Sequence, residues 1–229
     1  MHIPDGYLGP VTSALTYVLM LPIWTAASRI VKKTLKARQV PLLAIGAAFS
    51  FVIMMFNIPI PGGSSGHATG AALAGILLGP WAACIAVTIA LVVQALLFGD
   101  GGITAIGANC FNMAFVETFA GYFIYKLISG SSAITSGRRV LAAGIAGYIA
   151  INAAALSTAL MFGIQPILHR TADGQPLYCP YGLNVSIPAM LGEHLLVFGW
   201  VEALVTALVV KYLQKQDPFL LESVKEPKR

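Results

Sequence analysis

The chain has 229 residues, 57% of them hydrophobic and only 10% charged, with a formal net charge of +5. A soluble domain carries about 25% charged residues, so this chain cannot cover itself with polar surface and belongs in a lipid bilayer. No basic run is interleaved with aromatics, so nothing supports nucleic-acid binding. Cys84, Cys110 and Cys179 are too far apart for a CxxC site or a disulfide framework.

The first residues are Met1-His2-Ile3-Pro4-Asp5-Gly6. There is no basic n-region ahead of an apolar stretch, so no cleavable leader is expected and the chain is read as starting at a functional terminus. Histidine in second place lets three nitrogens close on one metal ion: the α-amine, the His2 backbone nitrogen and the ring Nδ1. The two chelate rings have five and six members, and three coplanar nitrogens suit square-planar Ni(II) or Cu(II). The backbone nitrogen must lose its proton, which those two ions promote and Zn(II) does poorly. Pro4 fixes its own φ and restricts Ile3, giving a turn that aims the terminus.

A transmembrane helix needs about 20 apolar residues. The first candidate covers about 11–30 and the second about 40–56. Turn formers then fill Asn57 to Gly66, and His67 follows. Residues 68–98 are apolar throughout, too long for one span, and Gly79-Pro80 divides them into helices at about 68–79 and 81–98. Asp100-Gly101-Gly102 stops the second of these. Further spans are predicted at about 104–128, 139–163 and 188–213, with a polar loop at 164–187 holding His169 and Arg170. Residues 1–213 thus form one transmembrane domain, followed by a polar tail at 214–229.

Orientation follows from charge, because cytoplasmic loops are enriched in Lys and Arg. With seven helices and the N-terminus outside, all of the 14 lysines and arginines except Arg170 fall inside. These are Arg29, Lys32, Lys33, Lys36, Arg38, Lys126, Arg138, Arg139, Lys211, Lys215, Lys225, Lys228 and Arg229. Merging 68–98 into one helix puts Lys126, Arg138 and Arg139 on the wrong side. The predicted fold is therefore an all-α membrane protein, a bundle of seven transmembrane helices with a cytoplasmic C-terminus. Its N-terminus lies outside, on the same face as His67, and inserts into the bundle.

His67 directly follows the Gly/Ser-rich break, and irregular backbone is tolerated at membrane depth where protein surrounds it. It would supply a fourth nitrogen to the Met1-His2 chelate. Polar groups inside apolar segments are candidate supports for the ligands: Gln94, Asn109, Asn112, Glu117, Asn152, Glu193, His194 and Glu202. Asn109 and Asn112 are one helical turn apart and are expected to share a face. Glu193-His194 lacks the HExxH spacing of a zinc hydrolase.

Two motifs identify a family. Met1-His2-Ile3-Pro4-Asp5-Gly6-Tyr7-Leu8 resembles the start of the CbiM/NikM family, the substrate-binding membrane subunits of cobalt and nickel energy-coupling-factor (ECF) transporters. Pro61-Gly62-Gly63-Ser64-Ser65-Gly66-His67 resembles that family's second motif, and the similarity covers essentially the whole chain. The resemblance implies metal binding by the Met1 amine, the His2 amide and ring nitrogens, and His67. Asn109, Asn112, Glu117, Glu193 and His194 remain candidates for the surrounding shell. It also implies four partners: a transmembrane coupling protein (the T component), two cytoplasmic ATPase subunits and a small accessory membrane protein. The location implied is a bacterial or archaeal cytoplasmic membrane. There is no P-loop, so ATP hydrolysis would fall to the partners. Ni(II) or Co(II) would be transported substrate, Ni(II) favoured because low-spin Ni(II) suits a planar four-nitrogen set, and no organic cofactor is expected. The alternatives are Co(II) uptake for cobalamin synthesis by the same mechanism and, below it, a seven-helix membrane metalloenzyme. A retinal-type receptor has no support, since Lys211 lies at the end of the last helix rather than its middle.

Overall fold

The computed structural model describes residues 1–34, 40–60 and 64–221. Lys36, Arg38, Pro61, Gly62, Gly63 and the tail charges Lys225, Lys228 and Arg229 lie outside the described residues. Seven helical stretches, one of them short, make up most of what is described. Helix α1, Pro10–Thr34, starts on a proline whose missing N–H costs nothing in the first turn. Helix α2, Val40–Met54, ends before the expected residue 56. Helix α3, Ala71–Leu78, and helix α4, Pro80–Phe98, meet at Gly79, whose φ of 79° turns the chain in the left-handed region. Helix α5 runs from 106 to 129 in three joined parts, Ile106–Asn109, Cys110–Glu117 and Thr118–Ser129. Helix α6, Gly137–Gly163, is prolonged by a turn at Gln165–Leu168. Helix α7, Leu183–Gln216, begins earlier than the expected residue 188, because Pro188 removes one backbone donor without ending the helix. It also takes in the first residues of the predicted tail.

Two features depart from a plain α-helical bundle. Ile58–Ile60 and Ser64–Gly66 form a small antiparallel ribbon, β1 and β2, with Ile58 opposite Gly66. Pro59 is tolerated there because a two-stranded ribbon leaves one side of each strand unpaired. Among the described residues three helices also carry π segments: Gln94–Phe98 in α4, Cys110–Glu117 in α5 and His194–Phe198 in α7. Such widened turns often mark functional sites.

Among the described residues four helices are long and apolar enough to cross a membrane: Pro10–Thr34, Pro80–Phe98, Gly137–Leu168 and Leu183–Gln216. Helix α3, with eight residues, is about 12 Å long and cannot span alone. It is instead a core helix, its residues Ala71 to Ile76 all buried. Small residues allow this. A Cβ on Gly121 would fall 2.8 Å from Ala72 Cα, so α3 and α5 touch at backbone distance. The face that α6 turns inward is largely alanine: Ala142, Ala143, Ala146, Ala150, Ala154, Ala155 and Ala159 are all buried. On α1 the large apolar residues Val11, Leu15, Val18 and Leu21 are exposed, as lipid-facing residues of a span should be. The first nine residues are not helical. They form an arm that enters the bundle where the ribbon, the α4–α5 loop and the N-terminal side of α7 converge.

Candidate metal centre

The arm is threaded inward by specific bonds. Asn109, at the last α-helical position before the π segment of α5, pairs with Ile3 twice. Its Oδ1 accepts from Ile3 N at 2.8 Å, and its Nδ2 donates to Ile3 O at 3.2 Å. The N–H of Gly102 donates to the same carbonyl at 2.8 Å. Ser64 Oγ donates to His2 O at 3.3 Å. Further out, Asp5 accepts from the backbone N–H groups of Ile103 and Thr104, at 3.1 and 2.8 Å. These bonds hold its carboxyl below the usual range, the Thr104 hydroxyl contributing most. Cys179 N donates to Tyr7 O at 3.1 Å, and Gly9 N to Gln165 Oε1 at 2.9 Å. The passage requires glycine in the α4–α5 loop. A Cβ on Gly102 would fall 2.7 Å from the Pro4 carbonyl carbon, and one on Gly101 would fall 3.2 Å from His2 Cδ2.

The result is a sealed nitrogen cluster. Met1 and His67 are fully buried and His2 is 4% exposed. The Met1 amine lies 3.2 Å from His67 Nε2 and donates to Ser65 O. The His2 and His67 ring centroids are 4.6 Å apart, with the planes inclined by 32°. Hydrogen-bond partners fix the tautomers. His67 Nδ1 lies 3.1 Å from Ala68 O, so Nδ1 carries the proton and Nε2 presents its lone pair to the amine. His2 Nε2 donates to Gln94 Oε1 at 3.2 Å, which leaves the lone pair on Nδ1. That Nδ1 is buried without a hydrogen-bond partner. The backbone N–H of His2 likewise has no acceptor among the described residues.

Burial favours the neutral form of these groups. Desolvation pushes the Met1 amine down from 8.0 to about 5, against the opposing pull of nearby Glu193 and Asp100. It pushes His2 down to about 3, helped by the neighbouring terminus, and His67 well below its usual value. All three are neutral near pH 7. The 3.5 Å approach of His2 Nδ1 to Asp100 Oδ1 is therefore not an ion pair. Four nitrogens, two from the main chain and two from rings, are gathered within the arm and the turn beside it. Among the described residues no three His, Cys, Asp or Glu side chains form a metal cage.

The other candidates fall in different places. Asn109 holds the arm. Asn112 does not share its face: it turns to α6, donating to Thr158 Oγ1 at 3.0 Å and accepting from Ser157 Oγ at 2.6 Å. The π segment that begins at Cys110 changes the helical register, which is why three-residue spacing misleads here. Glu117 and Glu202 brace the turn after His67. The Thr69 hydroxyl donates to Glu117, and Glu202 Oε2 accepts from Thr69 N at 2.9 Å and Gly70 N at 3.0 Å. Glu193 lies beside Gly66 and His194. The His194 Nδ1–H donates to Met190 O at 2.8 Å, leaving its buried Nε2 without a partner. Asn152 bonds its own helix at Tyr148 O. Gln94, Asn109 and His194 all sit at the start of π segments or just before one. Asp100 was not anticipated as a neighbour of the cluster, because Asp-Gly-Gly reads as a helix stop.

Residues 2–220 match the model of a family described as the cobalt uptake substrate-specific transmembrane region, CbiM. The chain is 51% identical over 227 residues to a fused nickel transport protein, NikMN, of Rhodobacter capsulatus, covering 99% of this chain but 65% of that protein. It is 48% identical to a putative metal transport protein of Methanocaldococcus jannaschii, covering 97% of this chain and 96% of the relative. A solved structure described as a truncated transition metal transporter superimposes with a TM-score of 0.91 at 56% identity, covering 94% of this chain and 99% of that one. Apolar helices of spanning length and a match over nearly its full length together make this chain a multi-pass membrane protein of the CbiM family.

Proposed function

We propose that the chain is the substrate-specificity subunit of an ECF-type importer. In this reading it takes a divalent transition-metal ion, Ni(II) ahead of Co(II), from the extracellular side. The observation that carries it is the cluster of the Met1 amine, His2 Nδ1 and His67 Nε2, with the unbonded His2 amide between the first two. Loading replaces the amine's contacts with Ser65 O and His67 by bonds to the ion. The His2 amide gives up one proton to solvent and becomes the fourth, anionic donor. Because the amine and both rings are already neutral, no proton need be displaced from them. A planar four-nitrogen field with one ionised amide favours low-spin Ni(II), while Co(II) for cobalamin synthesis is the second reading. A membrane metalloenzyme would need an open coordination position and a general base, and a filled plane provides neither.

The charge distribution supports an N-terminus outside and a C-terminus inside. The arm would then face incoming metal, and Lys126, Arg138, Arg139 and Lys211 would face the cytoplasm. The T component, two ATPase subunits and a small accessory membrane protein are the partners proposed for release inward. The test is metal binding by the purified chain, wild type and His67→Ala, by titration calorimetry with Ni(II) and Co(II). One ion per chain, weakened at least a hundredfold in the variant, supports the reading. Equal binding by both chains contradicts it.

A further inference from the structure

Asp100 stands where the sealed cluster meets solvent. Its side chain keeps 21% of its surface exposed, whereas Met1 and His67 have none and His2 has 4%. The Asp100 N–H bonds Gln94 O at 3.1 Å, so the residue is anchored to the π turn that also carries Gln94, the partner of His2. Asp100 Oδ2 accepts from Asn57 Nδ2 at 3.3 Å, which turns Oδ1 toward His2 Nδ1, 3.5 Å away. That ring nitrogen is buried, presents a lone pair and has no hydrogen-bond partner. A carboxylate oxygen and a lone pair facing each other repel, and an unexplained orphan of this kind marks a place for a ligand. A cation at this position turns the repulsion into attraction.

Two neighbouring carboxylates are committed, Asp5 to Ile103 and Thr104 and Glu117 to Thr69, while Glu193, against Gly66 and the His194 ring, does not approach His2 Nδ1 as Asp100 does. Charge balance also needs a carboxylate here. A divalent ion brings two positive charges and the ionised amide cancels one, its proton having gone to bulk water. The loaded plane keeps one positive charge in a buried setting, where an uncompensated charge is costly.

Resting on the reading that this cluster takes a divalent cation, we propose that Asp100 is its capture carboxylate. Asp100 replaces one water of the hydrated ion while still open to solvent. It then yields the ion to His2 Nδ1 as that bond forms and the metal–carboxylate bond breaks. It stays beside the loaded plane as the counter-charge and is not a fifth ligand.

The test is rapid mixing of Ni(II) with the full chain in lipid nanodiscs, followed by absorbance, for wild type, Asp100→Asn and Asp100→Glu. The Asn variant should load at least tenfold more slowly, with an association rate that depends less steeply on ionic strength than that of wild type. Its spectrum at saturation should match wild type, and the Glu variant should recover most of the rate. An Asn variant with the wild-type rate and salt dependence overturns the role of Asp100. So does an altered spectrum at saturation, which would make Asp100 a ligand. A wild-type chain that forms no planar complex overturns the chelate and the capture role together, an outcome distinct from the first two.

Discussion

Where the chain begins should decide whether it binds metal. Consider two glycines placed ahead of Met1, so that the amine becomes an amide and about 7 Å of chain is added. There is no room for it: Met1 is fully buried, with its nitrogen 3.2 Å from His67 Nε2. The arm must withdraw. That breaks the His2–Gln94 bond, both Ile3–Asn109 bonds, the Gly102–Ile3 bond and the Ser64–His2 bond. At about 1 kcal/mol net for each of these hydrogen bonds, docking loses about 5 kcal/mol, or between three and four orders of magnitude in affinity. Loss of the amine donor adds to this. A single added residue is a poor test, because it makes histidine third, where an amine, two amides and the ring can close a four-nitrogen plane without the bundle. Titration calorimetry with Ni(II) reads the effect, with helical circular dichroism as the check on folding. A nickel Kd within tenfold of wild type, in a folded protein, would refute the inserted-terminus account.

Three further outcomes follow from the same geometry. Asn109→Ala leaves the buried Ile3 N–H unpaired, at a cost of about 2 kcal/mol, and should weaken nickel binding about thirtyfold; unaltered binding would mean Asn109 does not hold the arm. Gly102→Ala puts a methyl against Pro4 and Asp5 backbone and should lower nickel affinity with little loss of helix, while Gly137→Ala, which meets nothing within 4 Å, should leave it unchanged. The pH dependence should carry one proton. With the amine at about 5 and the His2 ring at about 3, only the amide proton is released between pH 6 and 8, so affinity rises about tenfold per pH unit. A hundredfold rise per unit would mean an amine of ordinary basicity. In the metal-free protein the sign is the same. The undocked amine, with a pKa near 8, binds the proton that the docked one rejects, so docking weakens as pH falls from about 8 to about 5. Hydrogen exchange at the Ile3 N–H reports it.

The sequence made the helices legible because long apolar runs leave few alternatives. Each of the seven predicted stretches overlaps a helix, and Gly79-Pro80 divides α3 from α4 as expected. Met1, His2 and His67 stood out because histidine is rare among apolar segments and the chelate chemistry is local. Boundaries were less legible. Helix α3 is half the length of a span, because closeness to α5 at Gly121 depends on contacts between distant residues. The ribbon is too short for an alternating pattern to register. The π segments were invisible, and with them the turning of Asn112 toward Thr158. Asp100 was missed for a related reason: it reaches His2 only because Gly102 bonds Ile3, a contact spanning most of the first hundred residues.

The most direct test of the central claim is the absorption spectrum and magnetism of the purified chain loaded with one equivalent of Ni(II). A planar four-nitrogen site predicts a yellow, diamagnetic complex, with sharp proton resonances for the His2 and His67 rings that show only modest coordination shifts. A pale, paramagnetic complex with contact-shifted resonances would mean six-coordinate nickel bound elsewhere or held by other donors, and would contradict the account.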